Sequence, residues 1–203
     1  MIFLYIAHRG LYNDEINENT ISAFDNAFDN GYEGIEFDVR LTKDKVPVVI
    51  HDSFLSRVSN GKGLVKNYTY NELLKFNFGK KKIERIPKLE DVINRYNNKT
   101  MIIELKENID ITPYLNDKNK YYISSFNYNY IKNIPYSDKY KRGVINYVLN
   151  PVKDYNKIDF IMVLDSISFD KVLENYDSKR LEVIIYGVVG KINNYKENIK
   201  YII

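Results

Sequence analysis

Apolar positions recur along this chain in two alternating patterns, one typical of β-strands and the other typical of α-helices. Residues 2–7 form an apolar run that predicts a strand ending at His8. Between residues 21 and 28 the apolar side chains follow the three-to-four spacing of one helix face. Asn19 or Thr20 can cap this helix at its start. The chain is therefore predicted to begin with a strand followed by a helix.

Strict alternation of apolar and acidic residues predicts a second strand over residues 34–39. Glu36 and Asp38 lie on one face of this strand, and its apolar residues lie on the other. In a barrel the apolar face would pack under helices and the acidic face would point inward. Residues 46–50 predict a third strand, which ends at His51. The short turn before it leaves no room for the crossover helix of a strictly regular β/α repeat.

The rest of the chain continues to alternate strand and helix signals. Pro87 is placed to open a helix. Residues 101–106 predict a strand on which Glu104 and Lys106 share a face. Further strands are predicted at residues 121–126, 143–148, 160–164, 183–189 and 201–203, with short helical pieces such as residues 168–176 between them. No repeat or linker interrupts the pattern, which predicts a single α/β domain over residues 1–203.

Composition narrows the class of protein. Hydrophobic residues make up 44% of the 203 residues and charged residues 28%, as in a folded globular protein. A net charge of +3, from 30 basic and 27 acidic residues, is not typical of nucleic-acid binding. With no cysteine, disulfides, thiolate catalysis and cysteine-bound zinc are excluded. No apolar run approaches the roughly 18 residues of a membrane span, and no leader precedes the first strand, so we expect a cytoplasmic protein without stable membrane insertion.

The only two histidines, His8 and His51, both follow predicted strands. Imidazole titrates near neutral pH, so the pair suggests a general acid and a general base. The alternative is that they are two unrelated histidines on the surface or in the core.

The charged residues at the strand ends suggest a site of their own. In an α/β barrel the active site lies at the carboxyl ends of the strands, where three carboxylates could converge. Carboxylates this close repel one another unless a cation such as Mg²⁺ or Ca²⁺ binds between them. Nearby basic side chains would suit a phosphate, although all of these residues could instead be surface salt-bridge partners. The carboxylates are those of Glu36, Asp38 and Glu104, and the basic residues are Arg9 and Lys106.

Six short blocks follow one another along the first half of the chain. They are residues 7–10 (AHRG), 18–24 (ENTISAF), 34–44 (GIEFDVRLTKD), 46–52 (VPVVIHD), 86–92 (IPKLEDV) and 103–106 (IELK). In this order they resemble the signature blocks of glycerophosphodiester phosphodiesterases, and residues 124–126 (SSF) resemble the next, weaker block. The resemblance is specific up to about residue 126 and thin beyond it.

The resemblance implies a small TIM-type β/α barrel, irregular toward its C-terminus, that hydrolyses a glycerophosphodiester to glycerol phosphate and an alcohol. It also implies a divalent cation and a cyclic-phosphate route, in which we assign His8 as base and His51 as acid. Its substrate would be a small molecule or derived from a polymer. The implied roles are His8 and His51 as the catalytic pair, Glu36, Asp38 and Glu104 as metal ligands, Arg9 and Lys106 as phosphate-binding residues, and Glu18 and Asn19 as support.

The C-terminal part departs from the family pattern. The family usually has a strand reading Trp-Thr-Val-Asn and then a strand reading Ile-Ile-Thr-Asp. This chain has residues 186–189 (YGVV) at the first place and residues 201–203 (YII) at the second. Tyr186 could still supply an aromatic wall, but we expect an altered pocket and an unusual alcohol. The alternatives are a barrel of the phospholipase C or sphingomyelinase D type and a non-catalytic phosphodiester-binding relative.

Overall fold

The computed structural model describes residues 5–146, 154–167, 176, 180–187 and 200–203. Within these residues eight parallel strands close into a barrel, which confirms the predicted α/β fold. A ninth, short strand pairs antiparallel with one of them on the outside. The strands are β1 (Tyr5–His8), β2 (Gly34–Leu41), the short β3 (Pro47–Val49), β4 (Thr100–Leu105), β5 (Lys120–Ser125), β6 (Tyr140–Asn146), β7 (Phe160–Leu164), β8 (Glu182–Tyr186) and β9 (Lys200–Ile202).

Around the ring the order is β1, β2, β4, β5, β6, β7, β8 and β9, and β9 returns to β1. The C-terminal strand therefore completes the barrel, with Ile202 beside Ile6 and beside Tyr186. The ends of two predicted strands, at residues 147–148 and 188–189, lie outside the described residues. The predicted helix at residues 168–176 lies outside them too, apart from Tyr176.

Four α-helices stand among the described residues, and the first of them follows the sequence pattern closely. They are α1 (Ile21–Asp29), α2 (Tyr70–Leu73), α3 (Leu89–Arg95) and α4 (Tyr128–Ile131). Thr20 caps α1 by accepting a hydrogen bond from the Ala23 backbone N–H at 3.2 Å. On the apolar face of α1, Ala23, Phe24 and Ala27 are fully buried, and Ile21 and Phe28 are partly buried.

The helix predicted to open at Pro87 begins two residues later, at Leu89. Pro87 is held in extended structure, because its carbonyl accepts a hydrogen bond from the Val49 backbone N–H at 2.9 Å. Lys88 makes a β-bridge with Val48 and then serves as the N-cap. Pairing with β3 thus delays the start of α3.

Two apolar layers lie on the two sides of the barrel wall. The outer layer joins the apolar face of β2, Ile35, Phe37 and Val39, to the helices. The inner layer fills the barrel with Ile6, Ile102, Tyr122, Ile145, Phe160, Met162, Ile184 and Ile202. Because the apolar face of β2 is turned outward, its acidic face points into the barrel, as the alternation predicted.

The β2–β3 hairpin brings the chain back to the mouth of the barrel. β2 extends two residues past its pairing with β4, which ends at Val39. Thr42 closes the turn by accepting a hydrogen bond from the Val46 backbone N–H at 2.9 Å. β3 then runs antiparallel, and the Ile50 N–H donates to the Asp38 carbonyl at 2.9 Å. His51 therefore lies at the level of the acidic residues of β2.

Candidate active site

Three carboxylates converge inside the mouth of the barrel. Glu36 and Asp38 are two residues apart on β2, so they share its inward face. Glu104 lies directly beside Asp38 in the neighbouring strand β4. One oxygen from each of the three groups lies within 4.8 Å of the other two, and all three side chains are buried. The structure thus brings together the three residues singled out as candidate metal ligands.

Two cationic side chains lie beside these carboxylates. Lys106 Nζ is 2.5 Å from Glu104 Oε1 and 3.0 Å from Asp38 Oδ1. Arg9 Nε is 3.4 Å from Asp38 Oδ2, and the Arg9 backbone N–H donates to Glu36 Oε2 at 3.2 Å. Arg9 has a φ of 57°, in the left-handed region that non-glycine residues rarely adopt. Such backbone strain is often found at functional sites.

Burial and crowding disturb the titration of all three carboxyl groups. Burial, followed by the charge of Asp38, raises the pKa of Glu104 to about 7 against the pull of Lys106. Burial and the charges of Asp38 and Glu104 also raise the pKa of Glu36. The pKa of Asp38 is lowered, because Lys106 and Arg9 outweigh its burial. Full ionisation of the cluster is therefore unfavourable without further positive charge.

This donor set fits a hard divalent cation. The three carboxylates offer oxygen ligands, which Mg²⁺ and Ca²⁺ prefer, and their oxygens are close enough to share one ion. If all three carboxyl groups ionise, the two neighbouring cations, Arg9 and Lys106, leave one negative charge uncompensated. The acidic cluster could accordingly bind a metal ion.

The two histidines line the same cavity, one from the end of β1 and the other from the loop that begins after β3. His8 is the last residue of β1, and its Nε2 lies 3.9 Å from Glu36 Oε2. Burial and the neighbouring Arg9 lower the pKa of His8 to about 4, so its ring is neutral at pH 7. His51 Nδ1 is 2.6 Å from Asp52 Oδ1, and the His51 carbonyl accepts a hydrogen bond from Arg40 Nε at 2.7 Å. Both the ring and the backbone of His51 are thus held in place.

The cavity has a volume of about 310 Å³ and two chemically different halves. Its charged half consists of His8, Arg9, Glu36, His51, Glu104 and Lys106. Its apolar half consists of Phe126, Ile145, Met162, Leu164, Tyr186 and Ile202 together with Gly187. The rings of Phe126 and Tyr186 meet edge to face with their centroids 6.5 Å apart. Tyr186 thus forms part of an aromatic wall, as predicted.

Asn19 supports the cluster from the loop before α1. Its Nδ2 donates to Asp38 Oδ2 at 2.9 Å, and its Oδ1 accepts from the Asp38 backbone N–H at 3.2 Å. Asn19 is buried with a φ of 57°, a conformation that asparagine tolerates better than most residues. The supporting role implied for Asn19 therefore has a defined structural basis.

Sequence reasoning missed Arg57, which lies in the loop after His51. Its guanidinium contacts Asp52, the partner of His51, and also Glu18, the partner of Arg9. A lone arginine in an aperiodic loop carries little signal in the sequence, and the one indication was its position five residues after Asp52.

Comparisons with known proteins match the sequence and the fold of this chain. The family model described as "Glycerophosphoryl diester phosphodiesterase family" matches residues 8–141, about two thirds of the chain. The glycerophosphodiester phosphodiesterase of Caldanaerobacter subterraneus subsp. tengcongensis is 42% identical over 132 residues, which are 62% of this chain and 54% of that protein. The chain spans about half the length of the curated relatives that it matches.

Two solved structures share the barrel over nearly its whole length. A glycerophosphodiester phosphodiesterase from Agrobacterium tumefaciens superposes with a TM-score of 0.74 at 23% identity, over 99% of this chain and 95% of that one. A phosphodiesterase from Oleispira antarctica, solved with the product sn-glycerol-3-phosphate, gives a TM-score of 0.75 at 23% identity, over 94% of this chain and 85% of that one. These likenesses establish the fold.

Among the described residues, no helix is both long enough and apolar enough to cross a bilayer.

Proposed function

This chain belongs to the glycerophosphoryl diester phosphodiesterase family, and from that premise we propose that it hydrolyses a glycerophosphodiester to glycerol phosphate and an alcohol. The observation that carries the proposal is the two-sided cavity. One side is lined by two members of the three-carboxylate cluster, two cations and two histidines, and the other side is apolar. A phosphoryl group fits the charged side, and the remainder of a diester fits against the apolar wall.

Glu36, Asp38 and Glu104 are proposed to hold one Mg²⁺ or Ca²⁺ ion. Support comes from the raised pKa of Glu36 and of Glu104, which burial and the neighbouring carboxylates cause, so that full ionisation of the cluster calls for further positive charge. A bound divalent cation supplies Lewis-acid polarisation of a phosphoryl oxygen. Asn19 keeps Asp38 in position through both of its amide atoms.

Arg9 and Lys106 are proposed to bind the non-bridging phosphate oxygens. Both line the cavity, and both carry positive charge in a largely buried site. Charge on the phosphoryl oxygens grows as the new bond forms, so fixed cations stabilise the transition state more than the substrate. The planar guanidinium of Arg9 suits two oxygens of one phosphate at once.

The two histidines are proposed to move the protons. The glycerol hydroxyl next to the phosphate attacks phosphorus, and His8 accepts the hydroxyl proton. The bond from phosphorus to the leaving alcohol breaks, and His51, which holds a proton on Nε2 as well as on the Nδ1 that faces Asp52, gives the Nε2 proton to that alcohol oxygen. Water then opens the cyclic phosphate to glycerol phosphate, with His51 taking a proton from the water and His8 returning its proton to the glycerol oxygen. The low pKa of His8 supports its role as the base, because its ring is unprotonated at neutral pH.

An internal nucleophile offers a large advantage over free water, because the hydroxyl and the phosphate are already held together. The cyclic route therefore requires a free hydroxyl beside the phosphodiester. We expect turnover of glycerol-linked diesters and weak activity on bis(4-nitrophenyl) phosphate, which has no such hydroxyl.

A substrate panel tests the proposal. It comprises glycerophosphocholine, glycerophosphoethanolamine, glycerophosphoglycerol and a nucleotide-linked glycerol, each assayed for product with and without EDTA. Turnover of at least one member that EDTA abolishes and Mg²⁺ or Ca²⁺ restores is the expected result. Activity that survives exhaustive chelation would remove the metal from the proposal. No turnover of any member would favour a non-catalytic phosphodiester-binding relative.

A further inference from the structure

We propose that Arg57 is a positioning residue for His51, which it holds through Asp52 while it also holds Arg9 through Glu18. The inference rests on the proposed function and adds a residue that does not line the cavity. Arg57 lies in the loop after β3, six residues beyond His51, and reaches back toward the mouth of the barrel.

One guanidinium binds two carboxylates, each through two hydrogen bonds. Arg57 Nε and Nη2 lie 2.5 and 3.1 Å from the two oxygens of Asp52. Arg57 Nη1 and Nη2 lie 2.9 and 2.7 Å from the two oxygens of Glu18. Such paired contacts fix the angle of a carboxylate as well as its distance.

Each of these carboxylates in turn contacts a residue of the cavity. Asp52 Oδ1 is 2.6 Å from His51 Nδ1. Glu18 Oε1 accepts a hydrogen bond from Arg9 Nη1 at 2.9 Å. Arg57 therefore joins the loop after β3 to the loop after β1. It positions His51, the proposed acid, relative to Arg9, a proposed phosphate-binding residue.

The contact from Asp52 also selects one ring nitrogen of His51. Hydrogen bonds from Arg57 and then from His51 lower the pKa of Asp52, so this group is a carboxylate at neutral pH. A carboxylate can only accept a hydrogen bond, so Nδ1 of His51 must carry the proton. Nε2 is left as the nitrogen that exchanges a proton with substrate.

A contribution of Arg57 to folding has to be separated from positioning, because bidentate ion pairs in a network can also stabilise a protein. The Arg57 side chain is 46% exposed. The chain offers a matched control in Arg95, whose side chain is 48% exposed and which binds Asp25 through Nε at 3.0 Å and Nη2 at 2.7 Å. Arg95 lies on α3 and does not line the cavity.

The test compares Arg57→Gln, Arg57→Lys and Arg95→Gln with the unchanged protein. Steady-state kinetics on the best diester of the panel separates kcat from KM. We expect Arg57→Gln to lower kcat by about 10- to 100-fold, as is typical when a partner that orients a functional group is removed. KM should change little, Arg57→Lys should recover part of the loss, and Arg95→Gln should match the unchanged protein.

The ¹⁵N spectrum of the imidazole rings gives a second measurement, which needs no substrate. With only two histidines in the chain, the rings are assigned by comparison with a His8→Gln variant. In the unchanged protein the neutral ring of His51 should carry its proton on Nδ1. Arg57→Gln should shift the His51 signals toward a mixture of tautomers, and Arg95→Gln should leave them in place.

The outcomes separate the two proposals. If the unchanged protein turns over no diester, the proposed function fails, and the His51 signals still decide the role of Arg57. Unchanged His51 signals and an unchanged kcat in Arg57→Gln would overturn the positioning role. If Arg57→Gln does not fold, Arg57→Lys and Asp52→Asn take its place, and wild-type His51 signals in both would overturn the proposal equally.

Discussion

Replacing Glu104 with glutamine should stabilise the metal-free protein. Glu104 is buried beside Asp38, and its pKa is raised to about 7 from an ordinary value of 4.5. The glutamine keeps an oxygen that can accept the hydrogen bond from Lys106, and it removes the buried negative charge. The prediction is counter-intuitive, because the substitution removes a residue of the proposed metal site.

The size of the effect follows from the pKa of Glu104. A rise from 4.5 to about 7 corresponds to about 3 kcal/mol against the ionised carboxylate in the folded state. Asp38 titrates together with Glu104, so we expect a gain of about 1–3 kcal/mol in the free energy of unfolding above pH 7. For a protein of this size the gain amounts to roughly 3–10 °C in Tm.

The gain should depend on pH with a defined sign. Since the folded state holds the proton more tightly, the unchanged protein loses stability as pH rises from about 4.5 to about 7. The Glu104→Gln variant cannot lose stability by this route, because a glutamine side chain does not ionise. The two proteins should therefore differ little below about pH 4.5 and most above about pH 7.

Thermal unfolding in EDTA at pH 4.5, 6, 7 and 8 measures the difference. Glu107→Gln is the control, because Glu107 follows the same strand but contacts Arg40 instead of the acidic cluster. Added Mg²⁺ or Ca²⁺ should then stabilise the unchanged protein more than Glu104→Gln. The stabilisation should grow with the logarithm of the ratio of the free ion concentration to the dissociation constant. A Glu104→Gln variant less stable than the unchanged protein at pH 8 in EDTA, or a difference that does not vary with pH, would refute the reasoning.

Three further predictions address proton transfer, the mechanism and the core. His8→Ala and His51→Ala should each lower turnover by about 10²–10⁴-fold, and the double variant should lose less than the product of the two; near-normal rates for His51→Ala would exclude the two-histidine mechanism. A deoxy analogue that lacks the hydroxyl beside the phosphate should not be hydrolysed at a measurable rate, and equal rates on the analogue and its parent would eliminate the cyclic route. Gly143→Ala should lower the free energy of unfolding by about 1–3 kcal/mol, because a Cβ there would lie 2.5 Å from the Phe160 ring inside the barrel; an unchanged urea midpoint would show that Phe160 can move aside at no cost.

Local patterns predicted the elements that hold the carboxylates. The alternation along β2 was sufficient to place Glu36 and Asp38 on one inward face, because the side-chain period of a strand is fixed at two residues. The three-to-four spacing of apolar residues was likewise sufficient to predict α1, because a helix repeats every 3.6 residues, and Thr20 is its cap. The motif blocks added Glu104 and Lys106 to the same set, because their order along the chain matches the order of the family's blocks.

Contacts between distant loops could not be predicted in this way. Arg57 meets Glu18 across 39 residues, and no local period records such a pairing. The predicted helix start at Pro87 was two residues too early for the same reason. The hydrogen bond from the Val49 N–H to the Pro87 carbonyl joins residues that are far apart in the sequence, and the local pattern does not predict it. The single domain, the cytoplasmic location, the identity of the ion and the roles of the site residues stay predictions.

The two halves of the cavity come from two separate stretches of the chain. Its charged residues all lie between His8 and Lys106, and its apolar residues all lie between Phe126 and Ile202. Substitutions of cavity residues in the second stretch therefore change the apolar wall without replacing a histidine or a charged residue of the cavity. Under the proposed function, the selectivity of this scaffold is then open to engineering at Ile145 or Met162 without replacing a charged residue of the cavity.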